Sequence, residues 1–363
     1  MQELRRYLFL CPDRKTASGG IAVIYDLVAL LNRNGFVSAV VHNSASAGYP
    51  DHPENIPPFF TNKINIIHWK YAGIRQKARH ITTKVKTAAR SPKLPKLHVQ
   101  PADVIVVPEF MIAEALEGFP ENEIIVFVQN PFGLMRSYAR AKQRGLDVHE
   151  RSRYWLGVSH ICRTHIEMIG GNPATYFPAT MKPADFPFSD HKSPLITFMP
   201  RKLPHEASVL AHALRDNGRL KNYRLEALDG LTRSQVAAKM AESRFFISLL
   251  HNESIGFPAA EAMSSGCIVV GFDGLGGAEF FDETTGIPVR NGDIAALAQA
   301  IEKAVTDYEA APDSFDEMRQ AAAKRVNAAF SVEAFETGAL AAWQDIEKVL
   351  DHPKSTPTPL RYP

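Results

Sequence analysis

Apolar and polar positions along the chain follow two alternating patterns. Short apolar runs, typical of buried strands, are separated by stretches in which apolar residues recur three and four positions apart, typical of amphipathic helices. The first strand is predicted at 7–10 and the first helix at 21–31, with a loop of small residues between them. Further strands are predicted at 37–41, 103–108, 124–128, 156–158, 195–199, 245–250 and 267–272. Further helices are predicted at 205–215, 258–265, 294–305 and 336–350.

This alternation of strands and helices is typical of parallel α/β domains. A chain of 363 residues is long for one core and favours two domains. The segment 179–194 has three prolines and few apolar anchors, so we expect the connection between domains there. The predicted organisation is an N-terminal domain (1–180), a C-terminal domain (181–335), a last helix (336–350) and a flexible tail (351–363). Two doubly wound domains would face each other across a cleft at the carboxyl ends of their strands, where such folds bind ligands.

The composition is that of an ordinary globular protein, with 45% apolar and 22% charged residues. Three cysteines stand far apart and match no metal-ligand spacing, which fits reduced thiols. The first apolar run is too short for the core of a signal peptide. No apolar run reaches the roughly 18 residues that span a bilayer. We therefore expect a cytoplasmic protein.

One segment of the chain is strongly basic. Residues 63–96 carry ten Lys or Arg and no acidic residue. From Tyr71 onward, apolar residues fall three and four apart, which predicts a helix with one apolar stripe and a basic face. Three interpretations stay open: a helix packed on the N-terminal domain, an interfacial helix attracted by anionic lipid headgroups, and a site for a negatively charged glycan or lipid-linked acceptor. Few aromatic residues accompany the charges, so nucleic acid is not expected as a partner.

A strand–loop–helix–strand stretch in the C-terminal half concentrates polar and small residues. Glu253 lies in its first loop. Pro258 suits the start of a helix because it has no N–H to leave unsatisfied, and this start places Glu261 in the first turn. The backbone N–H groups of Gly256 and Phe257 are expected to face the cleft. A helix N-terminus of this kind favours an anion such as phosphate.

Glu253 and Glu261 are separated by seven residues and accompanied by Gly256, Pro258 and Gly266. This segment, ES-x-GF-P-x-x-EAM-x-x-G, resembles the E-x7-E signature of the family 4 retaining glycosyltransferases, which have the GT-B fold of two Rossmann-like domains. The resemblance implies that Glu253 contacts hydroxyls of the donor sugar and that Glu261 holds the ribose hydroxyls of the nucleotide. Carboxylates suit both tasks because the charge-assisted hydrogen bonds that they accept are strong.

Other parts of the chain resemble the same family. Gly19 and Gly20 lie where the family has a loop that lets the backbone approach the donor phosphate. Arg201 and Lys202 follow a predicted strand where the family has a basic pair for the diphosphate. Residues 276–279 resemble its glycine-rich turn that ends in glutamate. The resemblance also implies that the N-terminal domain binds the acceptor, that the C-terminal domain binds the nucleotide sugar, and that the last helix crosses back to the N-terminal domain.

Two departures from the family pattern concern candidate site residues. The family commonly separates the arginine from the lysine by a short gap, whereas Arg201 and Lys202 are adjacent. Many members carry a histidine after the strand that here precedes Gln129 and Asn130. Together with Glu109, which follows another predicted strand, these two residues are candidates for contact with the acceptor or the cleft. In this family the departing diphosphate serves as the base, so the missing histidine does not exclude activity.

The implied reaction is transfer of a sugar, with retention, from a nucleoside diphosphate sugar to a glycan or lipid-linked acceptor. The resemblance implies that this reaction belongs to surface polysaccharide or glycolipid synthesis and takes place at the inner face of a membrane. Arg201 and Lys202 would neutralise the leaving diphosphate, helped by the helix N-terminal amides. No D-x-D triplet occurs, so neither a metal nor another cofactor is expected. Two alternatives stay open: a sugar-nucleotide epimerase of the same fold, and a non-catalytic nucleotide-sugar-binding relative.

Overall fold

The computed structural model describes residues 5–13, 19–45, 56–64, 94–216 and 220–351. Among these residues the strands form two parallel sheets, one of seven strands and one of five. The first sheet contains β1 (Arg6–Cys11), β2 (Val37–His42), β3 (Phe59–Phe60), β4 (Val104–Pro108), β5 (Glu123–Val128), β6 (Ser152–Gly157) and β7 (Ala174–Tyr176). The second contains β8 (Ser193–Phe198), β9 (Arg224–Ala227), β10 (Ser243–Glu253), β11 (Ile268–Leu275) and β12 (Ile287–Pro288).

Helices connect the strands and pack against the sheets. In the first half of the chain they are α1 (Gly19–Arg33), α2 (Ile112–Gly118), α3 (Pro131–Gln143), α4 (Val148–Arg151) and α5 (His160–Met168). In the second half they are α6 (Pro204–Asp216), α7 (Arg233–Glu242), α8 (Phe257–Ser264), α9 (Ile294–Ala310), α10 (Asp316–Ala329) and α11 (Val332–Asp351). No described helix is long and apolar enough to span a membrane.

The first sheet has the strand order β3-β2-β1-β4-β5-β6-β7. Strand β1 pairs in parallel with both β2 and β4, so Phe9 stands between Val40 and Val106. The chain continues from β1 to β2 on one side and later returns to β4 on the other side. The winding therefore reverses between β1 and β4, and the carboxyl ends of these two strands form the switch point at which folds of this type bind ligands.

The second sheet has the order β12-β11-β10-β8-β9, and its winding reverses between β8 and β10. Strand β10 is buried on both faces. Phe245 and Ile247 pack into a cluster with α6 and α9, whereas Phe246 and Leu250 pack into the cluster that includes α8 and the first sheet. This alternation with a period of two explains why β10 is a continuous apolar run in the sequence.

Helix α11 follows the second domain in the chain but packs on the first sheet. The Trp343 ring stacks on Phe9 with 5.5 Å between ring centroids and meets Tyr7 edge-on at 4.9 Å. Aromatic pairs of this kind contribute about 0.5–1.5 kcal/mol each beyond their buried area. Glu347 accepts a hydrogen bond from Arg5 at 2.7 Å and another from the Tyr7 hydroxyl. These contacts anchor the end of the chain to its beginning.

The two chain segments that pass between the sheets lie side by side. Thr180 Oγ1 donates to the carbonyl oxygen of Phe330 at 3.0 Å, and the Met181 N–H donates to the same oxygen at 3.2 Å. Lys182, with a left-handed φ of +52°, forms an ion pair with Asp26 of α1 at 2.9 Å. The connection after β7 and the connection before α11 are thereby joined to each other and to the first domain.

The predicted α/β fold with two parallel sheets is confirmed. Several strand boundaries were wrong: the strand predicted at 156–158 begins at Ser152, the strand predicted at 245–250 extends to Glu253, and the strand predicted at 267–272 extends to Leu275. The basic segment falls mainly on residues 65–93, outside the described residues, so its helix stays a prediction.

The first-turn position expected for Glu261 was also wrong. Helix α8 begins at Phe257, one residue before Pro258, which makes Glu261 its fifth residue and puts it in the second turn. The earlier start is possible because Gly256 at the N-cap adopts a left-handed φ of +89°, which a residue with a side chain rarely does.

Candidate active site

Lys202 and Glu253 meet at the switch point of the second sheet. Lys202 lies in the turn after β8, and Glu253 is the last residue of β10, the neighbouring strand across the reversal. Lys202 Nζ is 3.0 Å from Glu253 Oε1, and the two side chains stay 43% and 19% exposed. Two residues that the resemblance assigned to one reaction are therefore in contact, at an edge that a ligand can reach. Arg201, which precedes Lys202 in the chain, is exposed.

The backbone is strained at the residue before Glu253 and at its partner on β11. The pairing of β10 with β11 shifts register between Leu250 and Glu253, where Asn252 has a φ of +49°. Leu275, the partner of Glu253 on β11, has a φ of +75°. Non-glycine residues in this region cost about 1–3 kcal/mol each and cluster at functional sites. Asn252 and Leu275 thus lie where the pairing of β10 with β11 departs from its regular register.

Gly276 allows the glycine-rich turn to approach the chain that carries Glu253. A Cβ on Gly276 would lie 2.3 Å from the carbonyl carbon of Ser254 and 2.6 Å from the carbonyl oxygen of Glu253, far inside normal contact distances. Only glycine fits without moving the backbone. The requirement for glycine at this position thus follows from the fixed placement of Glu253.

The start of α8 lies directly after this strand end. The N–H of Ala259 donates to the carbonyl oxygen of Gly256 at 3.1 Å, which closes the first turn. The Phe257 ring packs edge-on against Phe330, with centroids 5.9 Å apart, so its side chain belongs to the core. Any contact of Gly256, Phe257 and Pro258 with a donor would be made by the main chain, and it stays a prediction.

Glu261 of α8 is bound by an arginine that the sequence did not single out. Its side chain lies 3.0 Å from Arg233 Nη1, and the residue is 8% exposed. Burial raises the pKa of Glu261, and the charge of Arg233 opposes the rise. Arg233 opens α7 and pairs with residues on two other segments, 181–186 and α8, so no local spacing in the sequence marks it. Glu261 takes no part in the Lys202–Glu253 pair.

Three predicted residues meet at the switch point of the first sheet. Glu109 follows β4, Gln129 follows β5, and Gly20 stands beside Gly19 at the start of α1. Glu109 Oε2 accepts a hydrogen bond from the Gln129 N–H at 3.0 Å. A Cβ on Gly20 would lie 2.9 Å from Gln129 Oε1, which shows how closely α1 approaches this side chain. Burial raises the pKa of Glu109 to about 7, so this carboxyl group titrates in the neutral range.

Asn130 connects this edge to the second domain. Its Oδ1 accepts from the N–H groups of Phe132 and Gly133 at 2.9 and 3.0 Å, which caps α3. Its Nδ2 donates to the carbonyl oxygen of Asn252 at 3.4 Å. Because Asn252 precedes Glu253, the edges of the two sheets border one cleft.

Glu279 makes a second contact across this cleft. Its Oε1 accepts from the His160 N–H at 3.0 Å, at the N-terminus of α5 in the first domain. The glutamate that ends the glycine-rich turn therefore has a partner in the other domain. Among the residues that the structure describes, no three His, Cys, Asp or Glu side chains group as metal ligands would.

A segment in the C-terminal half of the chain matches a known family. Residues 206–307 match the family model described as "Glycosyl transferases group 1". A curated relative, the alpha-1,6-glucosyltransferase of Actinobacillus pleuropneumoniae serotype 7, is 28% identical over 220 residues, which cover 57% of this chain and 64% of the relative. The match thus spans slightly less than two thirds of the relative's length.

Solved structures share the whole architecture. The sucrose-phosphate synthase of Thermosynechococcus elongatus superposes with a TM-score of 0.62 at 13% identity, over 96% of this chain and 99% of that chain. Anabaena HepE in complex with UDP and glucose superposes with a TM-score of 0.60 at 13% identity, over 96% and 99% of the two chains. At these identities the likeness shows the fold. The chain therefore has the GT-B fold, and its residues 206–307 are similar to the group 1 glycosyltransferases.

Proposed function

We propose that this protein is a retaining glycosyltransferase that moves a sugar from a nucleoside diphosphate sugar to a glycan or lipid-linked acceptor. The observation that carries the proposal is the Lys202–Glu253 contact of 3.0 Å at the switch point of the second sheet. A sugar–phosphate linkage needs a cation for the phosphate and a hydrogen-bond acceptor for the sugar hydroxyls within a few ångströms of each other. This pair supplies both groups.

UDP-glucose is the donor that we propose first. The curated relative is named as a glucosyltransferase, and Anabaena HepE was solved with UDP and glucose. In the proposed complex, Glu261 binds the ribose hydroxyls, and the backbone at Gly19 and Gly20 lies close to the diphosphate. The first domain (1–180) binds the acceptor and the second (181–335) binds the donor.

The chemistry then follows from the position of the charges. The donor draws Lys202 from Glu253 to the diphosphate, where Arg201 adds a second positive charge. Glu253 then accepts hydrogen bonds from the sugar hydroxyls. The bond between the anomeric carbon and the phosphate oxygen breaks, and its electron pair goes to the diphosphate. The acceptor oxygen bonds to the anomeric carbon on the same face, and its proton passes to the departing diphosphate. Fixed cations lower the barrier because negative charge grows beside them.

We also propose that no divalent metal is required. The two adjacent cations Arg201 and Lys202 can supply the charge neutralisation that a metal provides in other transferases, and the chain has no D-x-D triplet. The acceptor is proposed to bind beside Glu109, Gln129 and Asn130. The basic segment 63–96 is proposed to hold the protein at an anionic membrane surface, where lipid-linked acceptors of polysaccharide or glycolipid synthesis lie.

Thermal stability with UDP, GDP, ADP, dTDP and CMP tests the donor site. A nucleotide at about 100 times its dissociation constant stabilises a protein by roughly 2.7 kcal/mol. We expect UDP to raise the melting temperature of the wild type and to raise it less in Glu261→Ala, while Glu283→Ala, an exposed glutamate of the same domain, behaves like the wild type. Stabilisation by no nucleotide would contradict the proposal.

Product analysis with UDP-glucose separates the alternatives. A transferase releases UDP when an acceptor or water is used. An epimerase yields an isomeric sugar nucleotide without releasing UDP, and a non-catalytic binder leaves UDP-glucose unchanged.

A further inference from the structure

Arg233 binds three groups at once. Its Nη1 donates to Glu261 Oε1 at 3.0 Å, its Nε donates to Asp185 Oδ2 at 2.9 Å, and its Nη2 donates to the carbonyl oxygen of Met181. The guanidinium also lies over the Phe186 ring, 4.7 Å from the centroid. A guanidinium held at every nitrogen and on one face has a fixed position and plane, although this side chain is 48% exposed.

Glu261 depends on such a partner. It is 8% exposed, and a buried carboxylate loses most of its hydration. Burial raises its pKa, the charge and hydrogen bond of Arg233 lower it, and the charge of Asp185 raises it further. These are the charged groups that act on Glu261 from α7 and from the segment before β8. An ionised carboxylate accepts from two hydroxyl groups, whereas a protonated one has an O–H in place of one acceptor.

We propose that Arg233 is a positioning residue of the nucleotide site, which keeps Glu261 charged and aims its carboxylate at the ribose hydroxyls. This inference rests on the proposed binding of a nucleoside diphosphate by Glu261. Arg233 acts through Glu261 and the substrate does not touch it. If Arg233 were only a structural anchor between α7 and the segment 181–186, its loss would lower stability without any preference for ribose hydroxyls.

Calorimetric binding of UDP and of 2′,3′-dideoxy-UDP to the full-length protein, from pH 6 to pH 9, tests this role. We expect Arg233→Met to weaken UDP binding about 10- to 100-fold near pH 7, as for loss of a hydrogen bond to a charged group. Because loss of Arg233 removes a charge that lowers the pKa of Glu261, the weakening should become smaller as the pH rises. Binding of 2′,3′-dideoxy-UDP should change little. Arg233→Lys keeps the charge and should recover part of the affinity for UDP.

Arg224→Met is the matched control, since Arg224 forms an exposed 2.7 Å ion pair with Glu242 in the same domain. It should bind UDP like the wild type. If Arg233→Met does not fold, Asp185→Asn and Arg233→Lys provide the test. Asp185→Asn removes a charge that raises the pKa of Glu261. UDP binding to this variant should therefore be unchanged or tighter, and it should depend less on pH.

Equal losses for UDP and its dideoxy analogue, or a loss that does not depend on pH, would overturn the positioning role and leave the nucleotide site intact. The positioning role would also be overturned if Asp185→Asn weakened the binding of UDP and of its dideoxy analogue equally. A wild-type protein that binds no UDP at any pH would instead overturn the proposed donor site, and this inference with it.

Discussion

Lys202 Nζ lies 3.0 Å from Glu253 Oε1, so the cation assigned to the leaving group and the carboxylate assigned to the sugar neutralise each other. Both side chains are partly exposed, and ion pairs of this kind contribute only about 0–1 kcal/mol. A diphosphate offers more charge and more acceptor oxygens than one carboxylate. The ion pair is therefore easily exchanged for contacts with the donor.

Glu253→Gln should separate binding from catalysis. The amide cannot hold Lys202 by charge, so UDP binding should be unchanged or tighter. The rate of UDP release from UDP-glucose should fall about 100-fold or more, as for loss of one preorganised charged contact. Lys202→Met should weaken UDP binding itself. Calorimetry and a UDP-release assay measure both effects, and equal weakening of UDP binding by the two variants would show that the assigned roles are wrong.

Glu109→Gln should raise the melting temperature at pH 8. Burial raises the pKa of Glu109 from 4.5 to about 7, so the folded state favours the protonated form. Its stabilising contribution is complete below about pH 4.5 and is lost as the pH rises through 7. Above pH 7 the buried charge costs roughly 3 kcal/mol at most, which the amide avoids.

The difference between Glu109→Gln and the wild type should nearly vanish at about pH 4, because Glu109 is then mostly protonated in both the folded and the unfolded state. Exposed Glu121 provides the control Glu121→Gln, whose melting temperature should follow the wild type at both values. A lower melting temperature for Glu109→Gln at pH 8 would speak against a raised pKa.

Gly276→Ala should reduce activity strongly, whereas Gly277→Ala should be mild. A Cβ on Gly276 meets main-chain atoms of Ser254 at 2.3 Å, while a Cβ on Gly277 meets its nearest neighbour, the Asp273 side chain, at an ordinary 3.6 Å. Main-chain atoms cannot move aside as a flexible side chain does, so the first substitution displaces the strand end that carries Glu253. The UDP-release rate of the two variants is the measurement, and equal rates would refute a tight fit at Gly276.

The basic segment should bind anionic vesicles in a salt-sensitive manner. Each Lys or Arg near an anionic surface contributes about 1 kcal/mol, and salt screens this attraction. Sedimentation with phosphatidylglycerol vesicles should recover the wild type at low salt and less of a variant with Lys84, Lys86 and Arg90 changed to Gln. Equal binding to neutral vesicles, or none to anionic ones, would exclude this role.

The Lys202–Glu253 contact could be predicted from the sequence. Each residue follows a predicted strand, and the resemblance assigned both to one reaction. Parallel strands on the two sides of a switch point bring such ends together. The role of Arg233 could not be predicted from the sequence because helix α7 itself was not predicted. Only Val236 and Met240 of that helix are buried, and two apolar positions are too few to mark a helical period.

Other misses have similar causes. The buried face of α3 includes Gly133, Ser137 and Ala141. Because these residues are small or polar, the helical period of apolar residues is not visible in the sequence of α3. The start of β6 was missed because it holds a buried Arg153, which a strand tolerates only with a distant partner. Its partners include the carbonyl oxygen of Val349 on α11, which accepts at 2.7 Å, and Glu123 of β5 at 3.4 Å, and no local pattern in the sequence indicates them.

Hydrogen bonds from Thr180 and Met181 to Phe330 join the two segments that cross between the domains. The two crossings therefore act as one connection. Because the two crossings are joined side by side, we expect the cleft to open by rotation of one domain about this point rather than by sliding along the other. Such a rotation would break contacts across the cleft, among them Asn130 with Asn252 and Glu279 with His160. Opening of the cleft for entry of a donor or release of a product would therefore break hydrogen bonds at its edges while the two crossings stay joined.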